Sequence, residues 1–112
     1  MGLKEYIFGF DSEQKAVKFL ENNSFKIICR NYKTKFGEID IIAKKDDIVH
    51  FIEVKSTNGD YETLYRITKS KYNKILKTIN LYLQNQFINN DFQIDVITIE
   101  KNNIEFIQNV SV

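Results

Sequence analysis

A single α/β domain of order α-β-β-β-α-β-β is what this sequence predicts, and three observations predict it. Two segments carry apolar residues at the 3.6-residue spacing of an amphipathic helix. Five short segments are dense in β-branched and aromatic residues and bounded by polar turns. The 112 residues, 43% hydrophobic and 13% aromatic, suffice for one core and not for two, so one domain spans 1–112.

The elements follow in order. Asp11 or Ser12 is the expected N-cap of a helix running to about Asn22, with Ala16, Val17 and Leu20 on its apolar face. Glu13 lies three and four residues before Ala16 and Val17, so it points with that stripe and needs a partner. Phe25 to Asn31 reads as a strand and Lys35-Phe36-Gly37 as a turn. Glu38 to Ala43 forms the second strand, Lys44-Lys45-Asp46-Asp47 a polar turn, and Ile48 to Lys55 the third strand. A loop from Ser56 to Tyr65 contains Asn58-Gly59. Thr68 then caps a second helix whose stripe is Tyr72, Ile75, Leu76, Ile79, Tyr82 and Leu83. Phe92 to Glu100 and Ile104 to Val110 close the order as two strands around Lys101-Asn102-Asn103.

Composition narrows the classes of function. One cysteine, Cys29, excludes an internal disulfide framework and a cysteine-based zinc site, which fits a reducing, cytoplasmic setting. The apolar run from Tyr6 to Phe10 is too short for a signal peptide, and no stretch approaches the roughly 18 residues of a membrane span. Sixteen basic and fifteen acidic residues give a net charge of +1, so only their distribution can point to a polyanionic partner. Lys26, Arg30, Lys33 and Lys35 fall in an acid-free block over 24–37, and Arg66, Lys69, Lys71, Lys74 and Lys77 in another over 63–88. Both suit a nucleic-acid backbone, and both suit a solvated face.

Charged residues inside apolar strands are costly unless paired, hydrogen-bonded or metal-bound, and three stand out. Glu53 and Lys55, two apart on one strand, share a face. A turn centred on Lys45-Asp46 sets Asp40 diagonal to Glu53, and a turn one residue later sets them directly opposite; both registers put Asp40, Glu53 and Lys55 on one face. Two converging carboxylates repel unless a hard cation such as Mg²⁺ or Mn²⁺ sits between them, and a neighbouring lysine completes a phosphodiesterase-like group. The acid-any-Lys tripeptide also occurs at Glu13-Gln14-Lys15, so the weight rests on the strand context and on Asp40. The bland reading is an exposed cross-strand ion pair.

At these residues the chain resembles the YraN family of small bacterial proteins, related to archaeal Holliday-junction resolvases and the restriction-endonuclease-like superfamily. The resemblance is carried by Gly37-Glu38-Ile39-Asp40-Ile41-Ile42-Ala43 and Phe51-Ile52-Glu53-Val54-Lys55, with Glu13, Ala16, Arg30-Asn31, Lys71 and Asp95-Val96 matching further family positions. It implies a restriction-endonuclease-like core, a mixed sheet flanked by two helices. It also implies Asp40, Glu53 and Lys55 as the nuclease motif, Glu13 as a helix carboxylate reaching the metal directly or through water, and the Val54 carbonyl as a further ligand. Ile39 stands where the superfamily often has Pro, Thr57 where the family has Arg, and Gln93-Ile94 in place of Arg-Phe.

The expected function is Mg²⁺- or Mn²⁺-dependent cleavage of structured DNA, with Lys33, Lys35, Lys71 and Lys74 on the phosphates and a homodimer able to present two sites to one branched substrate. A non-catalytic nucleic-acid-binding module and a protein-interaction subunit are the competing classes. His50, on the strand face opposite Glu53, is not expected to act as a base, and Asp95 is expected to anchor hydrogen bonds near the site. Glu38 shares the face of Asp40, and Cys29 is expected to be inert and buried.

Overall fold

The computed structural model describes residues 3–56, 68–86, 90–101 and 103–110, with side chains from Ser12 onward. Helix α1 (Leu3–Asn22) precedes strands β1 (Lys26–Lys33), β2 (Glu38–Lys45) and β3 (Ile48–Ser56). Helix α2 (Lys69–Asn85) then leads to β4 (Asp91–Glu100) and β5 (Asn103–Ile107). The five strands make one sheet in sequence order. Neighbours are antiparallel except β3 and β4, which run parallel, so the sheet is mixed. A parallel pair needs a crossover connection, and the segment holding α2 supplies it. Asn58-Gly59, Thr57 and Arg66 lie outside the described residues, as does Asn102.

The helices cover opposite faces. Ala16, Val17 and Leu20 of α1 pack on Phe25, Ile41, Ala43, Ile52, Ile97 and Ile99. Ile75, Ile79 and Tyr82 of α2 pack on Ile39, Ile42, Val49, Phe51, Ile94 and Val96. Strands β3 and β4 are therefore buried on both sides, which is why they read as nearly unbroken apolar runs. No helix among the described residues is long and apolar enough to cross a membrane.

Thr68 caps α2 as its sequence predicts, its Oγ1 accepting from Lys71 N at 3.2 Å. Helix α1 is a correction: it begins at Leu3, not at Asp11 or Ser12. A single Asp or Ser inside a helix costs only a few tenths of a kcal/mol, too little to stop a helix that an apolar face holds down. Strand β5 stops at Ile107, short of the expected Val110. Asn109 adopts φ 57, after which Val110 N rejoins β4 by donating to Ile94 O at 2.8 Å.

Two irregularities shape the β1–β2 pair. A bulge between Ile27 and Cys29 interrupts the register of the edge strand β1. Further along, Cys29 pairs with Ile42 and Tyr32 with Ile39, and all four pack toward α2. Residues three apart share a face only if the alternation slips by one, and the slip falls at Asn31 and Asp40. Asn31, with φ 53, takes the left-handed backbone that Asn tolerates better than most residues.

The β2–β3 turn consists of Asp46 and Asp47 at φ 51 and 64, between the closing pair Lys45 and Ile48. Two consecutive positive φ values define the tight turn for which Asn-Gly is the preferred pair. Replacing Asp46-Asp47 by Asn-Gly should stabilise the fold by about 0.5–1 kcal/mol, read as a higher urea midpoint with an unchanged slope.

Candidate functional site

The β2–β3 ladder runs from that turn to the pair Ile41 and Ile52. One step further in the same register, Asp40 stands opposite Glu53, the arrangement that the later of the two turn positions requires. Here the Asp40 side chain takes up a main-chain donor, its Oδ2 accepting from Val54 N at 2.8 Å. The carboxylate thus holds two strands together.

Glu53 projects from the same β3 face as Val49 and Phe51, toward α2, and is only 5% exposed. Its Oε1 is buried with no hydrogen-bond partner among the described residues. Its Oε2 lies 3.8 Å from Lys71 Nζ on the first turn of α2, close enough for charge attraction but too far for a hydrogen bond. Burial, and then the neighbouring Asp40 charge, push the Glu53 carboxyl up to about 8. Asp40 is also raised, first by burial, against the lowering effect of the Val54 N–H; Glu38 and Glu13 raise it further. Lys55, on the face of Glu53, is lowered by burial and by Lys71, while Glu53 and Asp40 oppose that shift. These are two carboxyls and two ammoniums in mutual electrostatic contact, with one carboxylate oxygen left over.

Glu13 is oriented inward as its helical phase predicts, and the cation that meets it is Arg30. Arg30 Nε donates to Glu13 Oε1 at 3.0 Å, Asn31 Nδ2 donates to the same oxygen at 3.1 Å, and Arg30 also reaches Gln14 Oε1 at 3.1 Å. The structure therefore brings Asp40, Glu53, Lys55 and Lys71 together and leaves Glu13 beside them, felt by Asp40 through charge. Among the described residues no three His, Cys, Asp or Glu side chains converge on one point. Sequence reasoning missed the Arg30 and Asn31 roles; the signal present was a cation and a turn-tolerant Asn inside an apolar strand opposite Asp40.

The basic residues form a flank. The β1–β2 connection is pinned to α2 by Thr34 and Thr78, whose hydroxyls lie 3.1 Å apart, and by the close approach of Gly37 to Lys74. Exposed Lys35 of that connection thereby lies near Lys77, both over the Phe36 ring at 5.2 and 5.7 Å, and exposed Lys33 ends β1 just before it. Lys71 is three residues before Lys74, so the cations run along α2 from Glu53 toward the hairpin tip. Glu38 is exposed opposite Lys33 at the strand end. Cys29 is half-buried, not fully buried. Asp95 is a hydrogen-bond anchor, but it faces α1 and serves His50, away from Glu53.

A carboxyl raised by folding keeps its proton where the unfolded chain has lost it, so the fold loses stability as pH rises from about 4.5 to about 8. Glu53→Gln should match the parent at pH 5 and exceed it by roughly 1–3 kcal/mol at pH 8.5, measured by urea unfolding in chelator.

Three relatives align over 99% of both chains: UPF0102 proteins of Campylobacter fetus subsp. fetus (58% identical), Campylobacter hominis (59%) and Campylobacter concisus (54%). The family described as "Uncharacterised protein family UPF0102" matches residues 12–99, a span that holds Glu13, Arg30, Asp40, Glu53, Lys55 and Lys71. With most of its length so matched, the chain belongs to the UPF0102 family.

Proposed function

We propose that this chain is a metal-dependent endonuclease with a restriction-endonuclease-like core of the YraN kind, hydrolysing phosphodiester bonds in branched or otherwise structured DNA. The observation that carries the reading is Glu53 Oε1, a buried carboxylate oxygen with no hydrogen-bond partner among the described residues, opposite Asp40. A purely structural acid at that position would be satisfied or replaced by an apolar residue. The donor set, two carboxylates and the nearby Val54 carbonyl, suits a hard divalent cation that keeps several waters. When bound, Mg²⁺ or Mn²⁺ would polarise the scissile phosphate and acidify a water.

The chain's own residues do the rest. Asp40 keeps its Oδ2 on Val54 N, which fixes the hairpin at the point where both acids must stay aligned. Lys55, with its ammonium destabilised by burial and by Lys71, is suited to hold the attacking water and meet the charge that builds on the phosphate. Lys71, half-exposed, is placed to leave Glu53 for a phosphate oxygen once the acid's charge is met otherwise. Lys74, Lys33 and Lys35 continue the cationic flank toward the hairpin tip, a path for the substrate backbone. Arg30 and Asn31 hold Glu13 beside Asp40, keeping a third negative charge close to the acid pair.

Nicked, flapped and four-way-junction DNA with Mg²⁺ or Mn²⁺ should be cut by the parent, and Lys55→Ala should lower cleavage by about 10²–10³-fold while leaving folding and Mn²⁺ binding intact. Asp40→Asn should abolish the Mn²⁺ signal in titration calorimetry. Equal Mn²⁺ binding by that variant, or no cleavage above the Glu53→Gln background, rejects the nuclease. Salt-sensitive DNA binding that survives without cleavage would leave the non-catalytic module. Replacing Lys33, Lys35, Lys71 and Lys74 by Ala should make the log-log salt dependence of DNA binding shallower by roughly one unit per lost contact.

A further inference from the structure

A recess of about 280 Å³ opens near the start of β3, on the face turned away from Glu53. Its apolar lining is Ile48 with Phe19, Phe25 and Phe106, three rings in edge-to-face contact at 6.0 and 5.6 Å, and Lys45 at the rim stands 5.1 Å over Phe25. Its polar lining includes His50, Gln93 and Gln108, none of which belongs to the acid pair or its lysines.

These polar groups are held in a fixed order by Asp95. Asp95 is fully buried; its Oδ2 meets His50 Nδ1, and its Oδ1 accepts from Gln93 Nε2 at 2.8 Å and from Asn109 N at 2.8 Å. The His50 ring is 4% exposed and braced at 4.8 Å by Phe25 in an edge-to-face contact. Gln93 Nε2 also approaches Gln108 Oε1 at 3.5 Å, so the coupled amides keep Gln93 Oε1 as acceptor and Gln108 Nε2 as donor for a third party. An adjacent donor and acceptor from a side-chain amide is what reads the edge of a base.

We propose that this recess binds a nucleobase, its ring against the phenyl wall and its amide-like edge on Gln93 Oε1 and Gln108 Nε2, beside the His50 ring. Size agrees: the volume exceeds the 150 Å³ or so that holds benzene and falls just below the roughly 300 Å³ at which drug-sized pockets begin, which suits one or two fused rings. The inference does not depend on nuclease activity, because no residue proposed for cleavage lines the recess. The base belongs either to a free nucleotide or to an unpaired position in a nucleic-acid strand, two sources with one chemistry.

The test is a titration of the ¹⁵N-labelled full chain, followed by its side-chain amide resonances. AMP, GMP, CMP and dTMP are added separately up to about 5 mM, the weak end of specific small-molecule affinity, and a single-stranded oligonucleotide and a duplex with one unpaired base follow. At least one probe should shift the Gln93 and Gln108 resonances saturably. Gln108→Leu, at an exposed position that leaves the fold alone, should weaken that binding about tenfold, while Asp40→Asn should leave it unchanged. Saturation by a mononucleotide identifies a free ligand, and saturation only by the oligonucleotide or the unpaired base identifies a strand; either supports the site. Absence of shifts from every probe, an equal response to glucose, or parental affinity in Gln108→Leu overturns it.

Discussion

Two carboxyl groups facing each other across a hairpin, in a place where water is scarce, constrain most of what surrounds them. Asp40 and Glu53 cannot both be ionised without a nearby positive charge, and their burial raises both. Lys71 and Lys55 answer from α2 and from β3 itself, yet neither reaches a hydrogen bond with Glu53 Oε1. Such a group is a reservoir of unfavourable electrostatics that a cation would relieve. The proposed function follows from that imbalance more than from the presence of any one residue.

The backbone around the pair is bent to serve it. A regular strand would send alternate residues of β2 strictly to opposite faces, but the slip at Asn31 and Asp40 lets Ile39 and Ile42 share the α2 side. Asn31 supplies the positive φ on β1, and its side chain together with Arg30 ties the bend to Glu13 on α1. A helix on one face is thereby coupled to a carboxylate whose strand partner faces the other helix. The arrangement explains how residues from both sides of a sheet can act on one spot: they meet where its alternation breaks.

The sheet also separates two kinds of polar burial. Toward α2, Glu53 keeps one oxygen without a hydrogen bond among the described residues, and lysines flank it. Toward α1, Asp95 is engaged by His50, Gln93 and Asn109 and is fully satisfied, with His50 held in one orientation. The first is a site that gains from a cation. The second is a rigid scaffold whose remaining donors and acceptors point outward, the condition for recognising a neutral ligand by its edge.

Most of the element order was legible in the residues, because helical periodicity in Tyr72 to Leu83 and the β-branched runs of β2 and β3 arise from burial on specific faces. The alignment of Glu53 and Lys55 on one face was equally legible, since it depends only on the two-residue period of a strand, whereas Asp40 joins them through the hairpin register. The start of α1 was not: an Asp with cap chemistry at residue 11 looks the same whether the chain begins a helix there or passes through one. The choice between the two hairpin registers, the partner of Glu13 and the joining of His50 to Asp95 were decided by tertiary structure alone. Each depends on which residues distant in sequence are brought to hydrogen-bond distance, and local propensity carries no record of that: Glu13 meets Arg30 across 17 residues, His50 meets Asp95 across 45. The sequence by itself determined which side chains would resist burial; the packing of two helices on a mixed sheet decided what each of them would find there.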